Sequence, residues 1–179
     1  MFLLHVLDQT VKKFKTQIAN IMTIANLLLG GFAICFGING NLQLSLLLIF
    51  LAALADRFDG MIARKFNIES ELGKQLDSMS DIISFGVAPA LLMYQGILHE
   101  FGGPGSFFTV FYIACGAFRL ARFNITESNG YFTGLPITVA GVLATLSFIT
   151  IPYLPSETFI LITIILSFLM VSTFKLKKV

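Results

Sequence analysis

Apolar residues occupy most of this 179-residue chain in long runs, and the polar positions are gathered into short segments between them. Six of the runs reach the length of about 20 residues that a helix needs to cross a bilayer. The runs cover 18–37, 43–64, 75–98, 106–123, 134–153 and 157–174. Glycine, proline and asparagine are concentrated in the breaks, as is typical of turns. The pattern predicts an all-α integral membrane protein, with a bundle of six transmembrane helices over residues 18–179.

Residues 1–17 have a different pattern. Phe2, Val6 and Phe14 can share one apolar face of a helix, while Lys12 lies mostly on the other face. We expect an amphipathic helix in the membrane interface, with its lysines directed at anionic lipid headgroups. A frayed terminal segment is the alternative.

The composition supports the same class of protein. Hydrophobic residues make up 56% of the chain and charged residues only 12%, whereas a soluble domain carries about 25% charged residues. A soluble globular enzyme and a disordered chain are therefore both excluded. The net charge of +2 is too small to indicate a nucleic-acid partner. Cys35 and Cys115 lie inside apolar runs and are interpreted as small packing residues.

The basic residues fall at one end of the predicted bundle. With the N-terminus inside, all twelve lie in or beside the cytoplasmic segments, and the three opposite loops contain none. Lysine and arginine are enriched in cytoplasmic loops. We therefore predict an N-in, C-in protein of the cell membrane.

Four aspartates interrupt the apolar pattern where the second predicted span ends and the third begins. They are Asp56, Asp59, Asp77 and Asp81. Spacings of three and four residues place each pair on one face of a helix, and the short connection makes the two helices antiparallel neighbours. Four carboxylates so close together repel one another unless cations lie between them. Mg²⁺ or Mn²⁺ suits such hard oxygen ligands, and Ca²⁺ is also compatible. Four aspartates can hold two ions and clamp a phosphate-containing substrate.

The residues around these aspartates favour a phosphate site. Gly60, Ala63 and Gly73 leave space beside the carboxylates, and Arg64 offers a planar donor group to a phosphate oxygen. Two alternatives stay open. The acids can form ion pairs at a helix end, or they can mark the pathway of a metal-ion or proton transporter. A transporter pathway would need polar groups near mid-membrane on several spans, and the last two predicted spans lack acids there.

The same residues resemble the signature of the CDP-alcohol phosphotransferases, D-x-x-D-G-x-x-A-R, eight residues, then G-x-x-x-D-x-x-x-D. All eight defined positions are matched, by Asp56, Asp59, Gly60, Ala63, Arg64, Gly73, Asp77 and Asp81. The resemblance implies the family's six-span fold over nearly the whole chain, and a homodimer. It also implies a reaction of phospholipid biosynthesis, in which CDP-diacylglycerol gives its phosphatidyl group to an alcohol and CMP is released.

The resemblance also implies roles for individual residues. Asp56, Asp59 and Asp77 would be metal ligands, and Asp81 would be both a ligand and the general base. The predicted CDP-lipid-binding residues are Asn20, Thr23, Asn26, Asp56, Gly60, Ala63, Arg64 and Gly73. The first three resemble the family's N-terminal segment, with Ala19 in place of its usual proline. Helix capping and interhelical hydrogen bonds are the alternative roles for these three.

Two segments bear on the acceptor alcohol. Residues 114–124, ACGAFRLARFN, and 130–136, GYFTGLP, resemble the branch of the family that uses serine. Arg119 or Arg122 would then bind the carboxylate of L-serine, and Thr138 would supply a hydroxyl. The alternatives are that both arginines anchor the helix to lipid phosphates, and that the acceptor is glycerol 3-phosphate or an inositol phosphate.

Overall fold

The computed structural model describes residues 2–66, 70–125 and 131–177. These ranges contain seven α-helices: α1 Phe2–Ile38, α2 Leu42–Phe66, α3 Glu71–Asp81, α4 Ala88–Gly96, α5 Gly103–Ile125, α6 Ile137–Ile149 and α7 Ser156–Val171. A π-helical turn, Ile82–Val87, joins α3 to α4, and 3₁₀ turns lie at Leu98–Phe101 and Ile151–Tyr153. Two short strands, β1 Tyr131–Thr133 and β2 Lys175–Lys177, pair antiparallel.

Every run that was predicted to span the membrane contains a helix. Within the described ranges, three helical stretches are long and apolar enough to cross a bilayer on their own: Asn20–Ile38, Glu71–Gly96 and Gly103–Ile125. The second of these combines α3, the π-helical turn and α4 in one continuous stretch. The two apolar helices α6 and α7 are shorter. The fold is therefore that of a helical membrane protein, while six crossings and the N-in, C-in orientation stay predictions.

The predicted interfacial segment, 1–17, is not separated from the first span by a helix end. Helix α1 continues from Phe2 to Ile38 as one element. The physical reason is local, since residues 2–29 contain neither glycine nor proline to end a helix. The location of 1–17 in the membrane interface stays a prediction.

The predicted helical fold is confirmed, with one short strand pair that the sequence did not predict, and the fifth predicted span is longer than its helix. Strand β1 pairs with β2, with Phe132 opposite Leu176. Gly134 follows with a φ of 72°, a left-handed conformation that favours glycine, and its N–H donates to the carbonyl of Phe174. Helix α6 starts only after Pro136. A strand pair between segments 40 residues apart in sequence leaves no periodic signal that would reveal it.

Small residues bring α1 close to its neighbours. A Cβ on Gly37 would lie 3.3 Å from Ser45 Oγ of α2, and a Cβ on Gly30 would collide with Ser84 of the π-helical turn. Such close approach is how helices associate in lipid, where apolar burial gives little drive for packing. The larger apolar core lies between α4, α5, α6 and α7, around Phe85 and Phe159. The polar part of α3 is left against α1 and α2, where the acids lie.

Candidate metal and substrate site

The four aspartates converge between α2 and α3. One carboxylate oxygen from each of Asp56, Asp59 and Asp77 lies within 4.8 Å of the other two. The carboxyl of Asp81, one turn further along α3 and buried, makes a hydrogen bond with that of Asp56. The convergence expected from the spacing is thus present in the structure.

The start of α3 fixes where its two aspartates lie. Ser70 caps the helix, with its Oγ accepting a hydrogen bond of 3.0 Å from the N–H of Gly73. Such a cap satisfies one of the free N–H groups of the first turn. Asn20 of α1 packs on the same turn, because a Cβ on Gly73 would lie 3.2 Å from Asn20 Oδ1. Two predicted CDP-lipid-binding residues, Asn20 and Gly73, are therefore neighbours.

Helix α1 makes hydrogen bonds to both helices that carry the acids, α2 and α3. Thr23 Oγ1 donates a hydrogen bond of 2.8 Å to Asp59 Oδ2, and both side chains are buried. On the α3 side, Ser80 Oγ donates to the carbonyl of Thr23. One turn deeper, Ser84 Oγ donates to the carbonyl of Asn26. The sequence analysis missed these serines, although small polar residues four apart in an apolar span indicate an interhelical contact.

Several buried polar atoms at this end have no hydrogen-bond partner among the residues that the structure describes. They are both amide atoms of Asn26, Oδ1 of Asp81 and Nε of Arg119. Leaving such a group unsatisfied costs about 1–3 kcal/mol, so their concentration at one place indicates a ligand site. The donor set fits a hard divalent cation, because every candidate ligand atom is a carboxylate oxygen. The unpaired oxygen of Asp81 adds to that set.

Arg119 on α5 lies within electrostatic range of the acid cluster. Its side chain is only 6% exposed, and it interacts electrostatically with Asp81. The guanidinium lies over the ring of Phe123, 5.3 Å from its centroid. A buried cation near a cluster of carboxylates can bind an anionic group of a substrate that the cluster holds.

Arg122 takes a different position. Its Nη1 donates to the carbonyl of Val171 at 2.9 Å, and its Nη2 donates to the carbonyl of Ser172 at 3.0 Å. These carbonyls lie at the C-terminal end of α7, where backbone acceptors lack helical partners. The structure therefore shows Arg122 as a link between α5 and α7, a contact that the sequence analysis did not foresee.

The other predicted residues are placed less directly. Gly60 follows Asp59, and its backbone N–H hydrogen-bonds the Asp59 carboxylate. Thr138 is half-buried in the first turn of α6, directly after Ile137, which packs against Gly116 of α5. Ala63 and Arg64 lie in the last part of α2, and their side chains fall outside the described part of the structure.

This chain is similar in sequence to known proteins over most of its length. The family model for CDP-alcohol phosphatidyltransferase matches residues 16–176. A CDP-diacylglycerol–serine O-phosphatidyltransferase of Bacillus subtilis (strain 168) is 40% identical over 156 residues, which cover 86% of each chain. An archaetidylserine synthase of Methanothermobacter thermautotrophicus is 38% identical over 175 residues, or 94% of this chain and 73% of the relative. A CDP-diacylglycerol–serine O-phosphatidyltransferase of Methanocaldococcus jannaschii is 36% identical over 171 residues, or 94% and 77%.

Proposed function

The chain belongs to the CDP-alcohol phosphatidyltransferase family, and we propose that it transfers the phosphatidyl group of CDP-diacylglycerol to the hydroxyl of L-serine. The products are phosphatidylserine and CMP. The observation that carries the proposal is the convergence of Asp56, Asp59 and Asp77 within 4.8 Å, in a chain whose similar relatives are named for serine as acceptor.

The carboxylates of Asp56, Asp59, Asp77 and Asp81 would hold the divalent metal. Mg²⁺ or Mn²⁺ suits these ligands, Ca²⁺ is compatible, and the number of carboxylates suits two ions. When bound, the metal neutralises the diphosphate and stabilises the departing CMP. The hydrogen bond from Thr23 fixes which oxygen of Asp59 faces the cluster, as partners of metal-binding carboxylates commonly do.

Asp81 would act as the general base. Its Oδ1 is buried and has no hydrogen-bond partner among the described residues, so it is available to a substrate proton. As the serine hydroxyl oxygen attacks the phosphorus next to diacylglycerol, its proton passes to Asp81. The bond from that phosphorus to the CMP oxygen breaks, and CMP carries away the electron pair.

Arg119 supports serine as the acceptor. Its buried guanidinium lies near Asp81, so a serine whose carboxylate binds Arg119 presents its hydroxyl close to the base. Carboxylates pair with arginine through two parallel hydrogen bonds, which fixes orientation as well as affinity. Thr138 would contribute a hydroxyl at the same end of the bundle, where it follows the buried Ile137.

The nucleotide lies on the α1 side of the acids in this proposal. Asn20 contacts the Gly73 turn, and the buried amide of Asn26 has donor and acceptor atoms without a partner in the described ranges. These amides would hold the cytidine, with Gly60, Ala63 and Arg64 along the diphosphate. The acyl chains would run into the bilayer from a site at the cytoplasmic face of the cell membrane. The homodimer implied by the family belongs to the same proposal.

The test is acceptor-dependent CMP release by purified protein in mixed micelles that contain CDP-diacylglycerol and Mg²⁺ or Mn²⁺. L-Serine, glycerol 3-phosphate and inositol phosphate are supplied separately, and we expect release with serine alone. Asp59→Asn should abolish release in folded protein, while Glu157→Gln, an exposed acid in the first turn of α7, should not change it. Release with another acceptor would refute serine, and silence with all three would leave the transporter alternative.

A further inference from the structure

The helix that carries Asp77 and Asp81 changes its geometry directly after Asp81. Residues Ile82–Val87 form a π-helical turn, in which the N–H of Ala88 donates to the carbonyl of Ile83, five residues earlier. Turns of this kind are rare, and they occur mostly as single insertions in α-helices near functional sites.

Pro89 removes one backbone donor that a regular α-helix would use at this place. In a regular α-helix the carbonyl of Phe85 would accept from the N–H of residue 89, which is Pro89. Proline has no N–H, and its ring collides with the carbonyl four residues earlier. Tyr112 of α5 supplies the missing donor, because its hydroxyl donates a hydrogen bond of 3.2 Å to the carbonyl of Phe85. Tyr112 is only 1% exposed, so water does not compete for this contact.

Neighbouring helices close on the turn from two further sides. On the α1 side, Gly30 packs against Ser84 so tightly that a Cβ would collide with it. On the α6 side, a Cβ on Gly141 would lie 2.7 Å from the carbonyl oxygen of Phe85. The turn is therefore enclosed by α1, α5 and α6, and its shape is a property of the packed bundle.

The π-helical turn changes which residues face α1. Ser80 and Ser84 donate to α1 carbonyls, and Ala88 and Leu92 pack with Ala33 of α1. These four residues are four apart, and a regular α-helix would rotate them by about 40° at each step, or about 120° in all. One inserted residue takes up about 100° of that rotation. The polar and apolar halves of the stretch can therefore both face α1.

We propose that Pro89 and Tyr112 are positioning residues for the transfer reaction. Together they maintain the π-helical turn, and the turn fixes where the C-terminal end of α3, with Asp81, lies against Asp56 of α2. The inference rests on the proposed function, because it gives Asp81 its importance as ligand and base. Neither residue touches the reacting atoms, and both act through the position of Asp81.

Two variants test the proposal from opposite directions. Pro89→Ala returns an N–H to position 89 and makes a regular α-helix accessible, while Tyr112→Phe removes only the hydroxyl that satisfies Phe85. We expect kcat to fall about tenfold in each, since a displacement of about 1 Å at a reacting group costs up to about 100-fold. The KM for serine should stay near the wild-type value. Pro89→Ala should keep or raise the thermal midpoint, because alanine favours a helix and proline does not.

Metal binding is the readout that does not depend on turnover. Manganese titration of the purified full chain, followed by the EPR signal of free Mn²⁺, should show weaker binding in both variants. Pro104→Ala and Tyr153→Phe are the matched controls. Pro104 is exposed at the start of α5, and Tyr153 is exposed in the 3₁₀ turn Ile151–Tyr153, so both variants should bind Mn²⁺ as the wild type does.

The proposal is overturned if a folded variant of either residue keeps both the Mn²⁺ affinity and the kcat of the wild type. A lower thermal midpoint with unchanged Mn²⁺ affinity would also overturn it, because the turn would then matter for packing alone. If Pro89→Ala does not fold, Tyr112→Phe decides by the same criteria. Failure of the wild type to use serine would refute the proposed function, and the Mn²⁺ comparison would still decide the role of the turn.

Discussion

The buried polar groups of α5, α6 and α7 differ in their hydrogen bonding from those at the acid end of the bundle. In α5, α6 and α7, the buried threonine and serine hydroxyls donate to a backbone carbonyl one turn earlier in their own helix, at 2.7–2.8 Å. They belong to Thr109, Thr145, Thr163 and Ser167. At the acid end, the buried polar atoms of Asn26, Asp81 and Arg119 include some with no partner among the described residues. The hydrogen bonds of the first set are complete within the protein, whereas the second set leaves polar atoms for a ligand under the proposed function.

This difference separates stability from function in the same membrane protein. A hydroxyl that bonds its own helix is satisfied within the protein, so its loss can change packing and stability but removes no group that binds a ligand. A cluster of unpaired and like-charged groups lowers stability and is retained for what it binds. Substitutions at the acid end should therefore reduce activity without unfolding the protein. Substitutions of the self-satisfied groups in α5, α6 and α7 should reduce stability without reducing activity.

Asp81→Asn gives the largest expected effect. Removal of a general base lowers kcat by about 10²–10⁴-fold, and the thermal midpoint should stay constant or rise because one charge leaves a repelling cluster. CMP release and thermal unfolding of the same preparation measure both quantities. Thr145→Val, which removes a self-satisfied hydroxyl, is the control and should leave CMP release unchanged. A clear fall in the thermal midpoint of Asp81→Asn together with the loss of CMP release would contradict the separation of stability from function.

Arg119→Gln should act on the acceptor. Hydrogen bonds to charged groups contribute about 1.5–3 kcal/mol, so we expect the KM for serine to rise about 10- to 100-fold while the KM for CDP-diacylglycerol changes little. The KM for serine of Arg119→Lys should lie between those of the wild type and Arg119→Gln, because lysine keeps the charge and loses the planar donor pair. Ethanolamine, which lacks the carboxylate, sharpens the test. A preference of serine over ethanolamine that survives in Arg119→Gln would contradict the assignment.

Thr23→Val should have a smaller effect, exerted through the metal. Loss of the 2.8 Å hydrogen bond to Asp59 leaves that carboxylate free to rotate, and loss of such a partner weakens metal binding by about tenfold or more. Titration with Mn²⁺ measures the change, and Thr23→Ser, which keeps the hydroxyl, should restore most of the affinity. If Thr23 instead contacts only the nucleotide, Mn²⁺ affinity will be unchanged and only the KM for CDP-diacylglycerol will rise.

The sequence predicts the parts of this molecule that depend on local periodicity. The pairs Asp56/Asp59 and Asp77/Asp81 lie on single helix faces, so their convergence follows from spacing and one short turn. The π-helical turn depends on Tyr112, which meets Phe85 from a position 27 residues away. The strand pair β1–β2 likewise joins distant segments. Contacts of that kind are set by packing, and no pattern within a single helix reveals them.

Arg119 and Arg122, three residues apart on α5, show the same limit of prediction from sequence. Both lie near the C-terminal end of an apolar helix and within the predicted acceptor segment 114–124, so the sequence predicts equal roles for them. They lie on adjacent faces, about 60° apart around the helix. Arg119 interacts electrostatically with Asp81, whereas Arg122 donates to the carbonyls at the end of α7. Which of the two faces the site depends on where α7 ends, and that is a tertiary property.

Arg122→Gln should therefore have the smallest effect on catalysis and a clear effect on stability. The variant loses the two hydrogen bonds to the carbonyls of Val171 and Ser172, at a cost of about 1.5–3 kcal/mol, and the thermal midpoint should fall by several degrees. The KM for serine should stay close to the wild-type value, in contrast to Arg119→Gln. Arg122→Lys should recover part of the stability, because one ammonium can reach one carbonyl. A rise in the KM for serine equal to that of Arg119→Gln, without loss of stability, would place Arg122 in the acceptor site and would remove the distinction between the complete and the ligand-completed parts of the bundle.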